Sequence, residues 1–340
     1  MINLSNPTVS ILLPFYNAAS TLAQCLDSIL NQTFTNFELL AINNGSTDNS
    51  QEVVVAKMAG DPRLKLHKLE KPGLIPALNF GLKVARADII ARMDGDDIMY
   101  PTRLEKQVQH LRQNQQCSLV ACTVDLFPKE MIKDGYWEYI RWQNSCITSE
   151  DIRDEIYWES PLAHPSVTFV KQDVVALGGY RDGPYPEDYD LWLRMNLAGL
   201  KMEKLPETLL DWREGSKRLS RNDPRYNRVA FDMIRADYLA QDSRLLQGRP
   251  LVIWGAGRHT RLRAKHLLDK GFKLAAWIDV DPNKLGNRVW DVMVQPPQWL
   301  IQKEKPFVLS YVTVRGAKEK NREQLEGFGY RRGNDYLMVG

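Results

Sequence analysis

Few of the features that mark secreted, membrane-spanning or zinc-binding proteins are present in this sequence. The 340-residue chain has only four cysteines, none of them in a Cys-x-x-Cys pair, and five scattered histidines. These counts predict neither a disulfide framework nor a zinc constellation. No apolar run approaches the roughly 20 residues needed to cross a bilayer, and the N-terminus lacks the basic start and apolar core of a secretory signal. We therefore predict a cytoplasmic protein.

Strong charge of either sign is also missing. The formal net charge is +3, which is too small to indicate a nucleic-acid partner. Apolar residues make up 44% and charged residues 26% of the chain, as in ordinary globular proteins. The length leaves room for one large domain and a smaller one.

Short apolar strands alternate with amphipathic helices over the first hundred residues. The predicted strands are 9–14, 37–42, 64–69 and 89–93, and the predicted helices are 19–31, 51–58 and 76–87. This alternation predicts a parallel sheet with covering helices. Ligands of such sheets bind beyond the carboxyl ends of the strands. We therefore expect Asn17, residues 43–48 and residues 94–97, which all follow strands, to converge on one edge.

Three carboxylates, Asp94, Asp96 and Asp97, follow the predicted strand that ends at Met93. Charges this close repel each other and raise each other's pKa unless a positive group lies among them. One interpretation is a solvated acidic turn. The other is a divalent cation held by oxygen ligands, such as Mg²⁺ or Mn²⁺. The local sequence leaves both open.

A second alternation begins at Pro250, after a basic, turn-rich segment at 213–228. We predict a domain boundary near residue 245, with residues 1–245 in one domain and 246–340 in a smaller α/β domain. Gly255 and Gly257 follow a predicted strand, and Asp279 lies where the ribose-binding acid of a dinucleotide fold is expected. Thr260 takes the place of the third glycine. These residues either bind a ligand or belong to a packing module.

Six motifs occur in a fixed order along the chain. They are VSILLPFYN from Val9, NGSTD from Asn44, ARMDGDD from Ala91, HPS from His164, GGY from Gly178 and PEDYDLWLR from Pro186. Together they resemble the family 2 glycosyltransferases with a GT-A fold, over roughly residues 7–220. The C-terminal region resembles the Rossmann-like modules appended to some bacterial sugar-modifying proteins. The resemblance implies a mixed, mainly parallel sheet with helices on both faces, plus a small Rossmann-like domain.

The resemblance implies transfer of a sugar from a nucleotide-sugar to an acceptor hydroxyl, with inversion at the anomeric carbon. Asp96 would hold Mn²⁺ or Mg²⁺, and Asp94 would help through the ribose or a metal-bound water. Asp97 would be a third ligand or, as we favour, a residue that orients the other two. Asp188 matches the position of the catalytic base, with Glu187 as the runner-up. The structural alternative is that Glu187 and Asp188 cap the helix that follows them.

The resemblance also implies contacts for the donor and the acceptor. The residues that would line the donor nucleotide pocket are Pro14, Tyr16, Asn17, Asn44, Asp48, Asn79 and Asp94. His164 would lie near the active site and contact the acceptor or a phosphate, or else have a structural role. Arg213, Lys217 and Arg218 would contact the diphosphate or the acceptor from a lid-like loop, or else belong to a solvated linker. The sequence departs from the family pattern at Asn43-Asn44, where many relatives have two aspartates, at Leu78 instead of arginine, and at Gly215 instead of histidine.

We expect a UDP-sugar donor and a saccharide or lipid-linked saccharide acceptor, in the assembly of cell-surface polysaccharide or lipopolysaccharide. No nucleic-acid partner is expected. The basic segment also suggests peripheral contact with the inner face of the membrane. Two alternatives are a non-catalytic sensor of sugar-nucleotides, suggested by the departures from the family pattern, and an NAD(P)-dependent oxidoreductase built on the C-terminal domain.

Overall fold

A computed structural model describes residues 6–215, 218–302 and 304–340, which form two compact units. The first unit continues to Ser149 and resumes over Pro161–Asp223, whereas the second combines Glu150–Ser160 with Pro224–Gly340. This division differs from the boundary predicted at residue 245. The difference arises because the carbonyl of Tyr157 accepts the N–H of Gly340 and the helix Arg228–Leu239 packs against the helix Arg258–Leu268.

The first unit has eight strands and eight α-helices among its described residues. The strands are β1 (Val9–Phe15), β2 (Phe37–Asn43), β3 (Leu64–Lys68), β4 (Ile89–Arg92), β5 (Ile98–Met99), β6 (Cys117–Phe127), β7 (Thr168–Val170) and β8 (Lys201–Arg213). The helices are α1 (Leu22–Leu30), α2 (Ser50–Met58), α3 (Leu74–Val84), α4 (Arg103–Gln113), α5 (Asp134–Ser145), α7 (Lys171–Ala176) and α8 (Glu187–Leu197), and a short α9 (Leu219–Asn222) follows β8. The helix α6 (Ser149–Glu155) leads into the second unit.

The eight strands form one mixed sheet in the order β3-β2-β1-β4-β7-β6-β8-β5. Strands β1 to β4 run parallel, β7 is antiparallel to both β4 and β6, and β6 runs parallel to β8. The predicted mixed, mainly parallel sheet is therefore confirmed.

Apolar residues explain why this sheet forms where the pattern predicted it. All seven residues of β1 are buried, as expected for a central strand covered on both faces. In α1 the buried residues Leu22, Cys25, Leu26 and Ile29 follow helical spacing and belong to the same core as β1. Because β1 pairs in parallel with both β2 and β4, the carboxyl ends of these three strands lie at one edge of the sheet.

The second unit contains α10 (Arg228–Leu239) and a six-stranded sheet in the order β11-β12-β10-β9-β13-β14. Its strands are β9 (Leu251–Trp254), β10 (Leu274–Ile278), β11 (Arg288–Val289), β12 (Val292–Gln295), β13 (Phe307–Ser310) and β14 (Tyr336–Met338), and its other helices are α11 (Arg258–Leu268) and α12 (Ala317–Gly327). Neighbouring strands in this sheet are parallel, except that β11 and β12 are antiparallel to each other. The order β12-β10-β9-β13-β14 matches that of doubly wound nucleotide-binding sheets. This order supports the predicted Rossmann-like module, which stays a prediction.

Ion pairs attach residues 150–160 to the rest of the second unit. Arg332 lies 2.6 Å from Asp151 and 3.3 Å from Glu155. Glu155 also pairs with Lys318, and both of these side chains are buried. Because buried ions require partners, these contacts bind the segment firmly to its unit.

Candidate active site

The acidic motif lies at the carboxyl edge of the first sheet, directly after β4. The backbone N–H of Met93 donates to the carbonyl of Leu12 at 3.1 Å, so the chain leaves the sheet beside β1. Asp94 and Asp96 are partly exposed, whereas Asp97 is buried. The motif therefore presents two carboxylates to a ligand and keeps the third beneath them.

Burial and mutual repulsion make the ionised form of this motif costly. Burial raises the pKa of Asp96 to about 6, and the charge of Asp94 adds to the shift. Burial, followed by the charges of Asp96 and Asp94, raises the pKa of Asp97 well above its usual range. Within the described ranges, Oδ2 of Asp97 has no hydrogen-bond partner. A buried oxygen of this kind requires a water or a cation.

The basic segment after β8 packs against the motif. Arg213 donates its backbone N–H to Oδ1 of Asp97 at 2.8 Å and its Nε–H to the carbonyl of Asp96 at 2.6 Å. The charge of Arg218 partly offsets the burial that raises the pKa values of both carboxylates. Two of the three predicted basic residues thus adjoin the motif, and Lys217 lies outside the described residues.

Aromatic side chains and one acid hold this basic segment in place. The guanidinium of Arg218 stacks on Trp212, with 4.2 Å between Cζ and the ring centroid, and donates to the hydroxyl of Tyr136 at 3.0 Å. Glu214 accepts from both Arg218 and Arg221. Sequence reasoning missed Glu214 and Tyr136, although an acid four residues before Arg218 was a signal for such a pair.

The candidate base lies in the first turn of α8. Pro186 occupies the N-cap, Glu187 is buried and Asp188 is partly exposed. Burial raises the pKa of Asp188 to about 8, and the charge of Glu187 adds to this shift. Of the two acids, Asp188 is therefore the one that an acceptor hydroxyl can reach. The assignment of Asp188 as the catalytic base, with Glu187 as the runner-up, stays a prediction.

Arg92, which sequence reasoning missed, connects the two groups of carboxylates. Its side chain is buried, and Nη1 lies 2.7 Å from Oδ1 of Asp94. Its positive charge also acts on Glu187 and opposes the burial that raises the pKa of Asp188. The available signal was an arginine at the end of the otherwise apolar strand Ile89–Arg92, because a buried charge needs a partner.

His164 lies beneath α8 and is only 7% exposed. Its Nε2 is 2.9 Å from the hydroxyl of Tyr180, and its Nδ1 is 3.8 Å from Oε1 of Glu187. Burial, together with the charge of Arg92, lowers the pKa of His164 well below its usual range, so the ring is neutral. These contacts suit a residue that positions Glu187. The predicted contact of His164 with acceptor or phosphate stays a prediction.

Asn79 holds the Gly-Gly-Tyr motif in place. Its Nδ2 donates to the carbonyl of Tyr180 at 2.8 Å, and its Oδ1 accepts the N–H of Tyr180 at 2.9 Å. A Cβ at Gly179 would lie 2.6 Å from Oδ1 of Asn79, and Gly179 has a positive φ of 68°. Only glycine fits there. Since both polar atoms of the amide bind backbone, the predicted donor contact of Asn79 would compete with these bonds.

The other residues predicted to contact the nucleotide surround the same edge. Pro14 is buried within β1, whereas the side chain of Tyr16 is 59% exposed beyond it. Asn17, Asn44 and Asp48 each accept a backbone N–H from an adjacent loop. Thr47 donates its backbone N–H to Asn17 at 2.8 Å, and Ala19 donates to Asp48 at 3.1 Å. Gly73 donates its backbone N–H to Asn44. These bonds order the loops at this edge of the sheet, and the predicted contacts with the base remain predictions.

In the second unit, Asp279 is bonded to the loop that contains Gly255 and Gly257. Gly255 has a φ of 112°, and a Cβ there would lie 2.9 Å from Val312. Asp279 accepts the N–H of Ala256 at 2.8 Å and the ammonium of Lys284 at 3.1 Å. The carboxylate therefore joins the loops after β9 and β10. A ligand at Gly255, Gly257 and Asp279 stays a prediction.

The acidic motif fits a hard divalent cation when a diphosphate shares the coordination. The atoms that would coordinate the cation are carboxylate oxygens. Oδ2 of Asp97 has no hydrogen-bond partner among the described residues. The three carboxylates do not form a complete cage, because the only described group with three ligand atoms within 4.8 Å of one another lies elsewhere. Mg²⁺ is usually bound by one or two carboxylates together with substrate phosphates and waters. Asp96 and Asp94 match that pattern.

The comparisons with known proteins identify the family to which this chain belongs. Residues 10–176 match the family model described as Glycosyl transferase family 2. The chain is 33% identical over 213 residues to the amylovoran biosynthesis glycosyltransferase AmsE of Erwinia amylovora, covering 61% of this chain and 76% of AmsE. It is 33% identical over 219 residues to the O-antigen biosynthesis glycosyltransferase WbnJ of Escherichia coli, covering 62% and 81% respectively.

Solved structures support the fold. The crystal structure of S. aureus TarS 1–349 in complex with UDP-GlcNAc matches with a TM-score of 0.55 and 16% identity, over 77% of this chain and 80% of that one. The protein is a glycosyltransferase with a GT-A fold. It belongs to the family 2 glycosyltransferases.

Along the parts of the chain that the structure covers, no helix combines the length and hydropathy needed to span a bilayer.

Proposed function

We propose that this protein transfers a sugar from a nucleoside diphosphate sugar to an acceptor hydroxyl, with inversion at the anomeric carbon. The observation that carries the proposal is that two groups of carboxylates, one after β4 and one in α8, both interact with the buried charge of Arg92. Asp94 and Asp96 lie at the end of β4, and Asp188 lies at the start of α8. The first pair suits the leaving diphosphate, and the single acid suits the attacking hydroxyl.

The divalent cation, Mg²⁺ or Mn²⁺, would stabilise the negative charge that develops on the leaving diphosphate. Asp96 would hold it, with Asp94 beside it. Arg213 and Arg218 adjoin the same carboxylates, so their charges would lie next to the diphosphate as well. A positive segment that covers the phosphates would also exclude water, which otherwise competes with the acceptor.

Asp188 would accept the proton of the acceptor hydroxyl as that oxygen attacks the anomeric carbon from the face opposite the diphosphate. Its raised pKa makes the ionised carboxylate a stronger base than an ordinary aspartate. Glu187, held close to His164, supplies a buried negative charge that maintains this basicity.

The donor is proposed to be a UDP-sugar, and the acceptor a saccharide or lipid-linked saccharide. The names of AmsE and WbnJ, which place those proteins in amylovoran and O-antigen biosynthesis, support a role in surface polysaccharide assembly. A cytoplasmic location, with contact to the inner face of the membrane through the basic segment, completes the proposal.

Thermal stabilisation by a panel of nucleotides tests the donor site. We expect UDP or a UDP-sugar together with Mn²⁺ to raise Tm by roughly 5–10 °C at about a hundredfold excess over Kd, because ligands that bind only the folded state stabilise it by mass action. The matched controls are the nucleotide without metal, the metal alone, and GDP with metal. Stabilisation by NAD(P)H alone, with no effect of metal, would contradict the proposal.

Substitution of Arg92 tests whether it links the two carboxylate groups. Arg92→Met is expected to shift the rising limb of the pH profile of kcat/KM upward by about one unit, because an opposite charge no longer favours the ionised form of Asp188. It should also raise KM for the donor through the loss of the Asp94 contact. Arg92→Lys keeps the charge and loses the planar guanidinium. The lysine variant should therefore raise KM without moving the pH profile, and an equal shift in both variants would assign Arg92 a purely structural role.

A further inference from the structure

We infer that His110, Cys117 and Glu203 form a zinc site on the first unit, separate from the proposed donor site. One nitrogen, one sulfur and one oxygen from these side chains lie within 4.8 Å of one another. They come from three elements: the last turn of α4, the first residue of β6 and the beginning of β8. No motif spacing predicted this cluster, since Glu203 is distant from the other two in sequence.

The ligand atoms favour zinc over Mg²⁺ or Mn²⁺, because one of them is a cysteine sulfur and one a histidine nitrogen. Thiolate and imidazole are ligands of zinc, whereas magnesium and calcium prefer oxygen. Zinc takes four ligands at about 2.0–2.3 Å, and sites with three protein ligands leave the fourth position to water. His110 and Glu203 are partly exposed, with side-chain exposures of 22% and 28%, so solvent can reach the cluster. Cys117 lies buried behind them.

The side chains need only small movements to bind an ion. Nε2 of His110 is 2.7 Å from Oε2 of Glu203, which is a hydrogen-bond distance. The thiol of Cys117 donates to the carbonyl of Leu119 at 3.1 Å. The three ligand atoms already lie within 4.8 Å of one another. A zinc ion between them would replace both contacts and release the proton of the Cys117 thiol, because zinc binds the thiolate. The nearby ammonium of Lys201 is bonded to Gln116 at 2.8 Å.

The cluster lies at the opposite end of β8 from the acidic motif. Glu203 is near the start of this strand, and Arg213 at its end contacts Asp96 and Asp97. Ten residues of extended chain separate Glu203 from Arg213, which corresponds to roughly 30 Å. The zinc would therefore join α4 to β6 and β8 and would stabilise the fold without touching donor or acceptor.

Metal binding by the full chain tests this inference. After removal of metal with a chelator, the wild-type protein is titrated with Zn²⁺, and with Co²⁺ as a spectroscopic probe of thiolate ligation. We expect one high-affinity zinc per chain, a thiolate-to-cobalt charge-transfer band, and a rise in Tm with Zn²⁺. Cys117→Ser and His110→Gln should each weaken zinc binding at least tenfold and abolish the zinc-dependent rise in Tm. Cys117→Ser should also remove the band.

Cys122→Ser is the matched control, because Cys122 is a buried cysteine of the same strand. It should bind zinc as the wild type does. Circular dichroism of the metal-free variants checks folding, and Glu203→Gln provides a third variant near the surface if Cys117→Ser does not fold. The inference is overturned if Cys117→Ser retains wild-type zinc affinity, if the cobalt band is absent in the wild type, or if Asp96→Asn removes the zinc instead.

Discussion

Replacement of Asp188 by asparagine is expected to lower kcat by about 10²–10⁴-fold and to leave the donor Kd unchanged, because a positioned base contributes a factor of this size. Asparagine keeps the shape of the side chain and can still accept the N–H of Tyr189, which now donates to Asp188 at 2.7 Å. The measurements are single-turnover rates and equilibrium donor binding. Asp182→Asn, at an exposed position shortly before α8, is the control and should have wild-type activity.

Glu187→Gln separates the two candidate bases. If Asp188 is the base, the glutamine variant keeps most of the activity, and its pH profile shifts downward because the neighbouring negative charge is lost. A full loss of turnover in Glu187→Gln, with activity retained in Asp188→Asn, would exchange their roles.

The pH dependence of the wild type gives an independent check on Asp188. A base acts only when deprotonated, so kcat/KM should rise about tenfold per pH unit below the pKa of about 8 and level off above it. The same raised pKa affects stability. Between its ordinary value of 3.8 and about 8, the folded protein holds a proton that the unfolded chain has released, so this carboxyl makes the fold less stable as pH rises. Asp188→Asn should therefore raise Tm at pH 8 and leave it unchanged near pH 4.

Asp96→Asn is expected to abolish metal-dependent binding of the donor, with a loss in affinity of roughly a hundredfold or more. The amide removes the charge that would hold the cation, and the diphosphate then meets Asp94 without a compensating positive ion. Titration of the donor with and without Mn²⁺ measures the effect. The expected result is that the variant binds the donor weakly in both conditions, while the wild type binds tightly only with metal.

Asp88→Asn is the control for this substitution, since Asp88 is an exposed acid just before β4, at the opposite end of the strand from Asp96. It should behave as the wild type. Donor binding by Asp96→Asn at wild-type strength, with the same dependence on metal, would show that the cation is held by other residues. The metal-free variant should also be more stable than the wild type at neutral pH, because Asp96 no longer ionises beside Asp94.

The sequence by itself determined the order of the elements over the first hundred residues and the edge of the sheet where the acidic motif lies. Strand and helix periodicity depends on local residue patterns, and the buried seven residues of β1 and the helical spacing of α1 follow those patterns closely. The position of the acidic motif after β4 followed from the same alternation, since parallel strands place their carboxyl ends together. The ordered motifs added the family, which the comparisons confirm.

Only the tertiary structure decided which partners these residues have. The structure shows that the buried Arg92 pairs with Asp94. It also joins residues that are distant in sequence: His164 contacts Tyr180 and Glu187, and Asn79 is hydrogen-bonded to the backbone of Tyr180. The packing of residues 150–160 with the C-terminal unit and the grouping of His110 with Glu203 are of the same kind. Local periodicity states which face of an element is buried. It does not predict which distant side chain will contact that face. The pKa of a carboxylate depends on the charge of that neighbouring side chain.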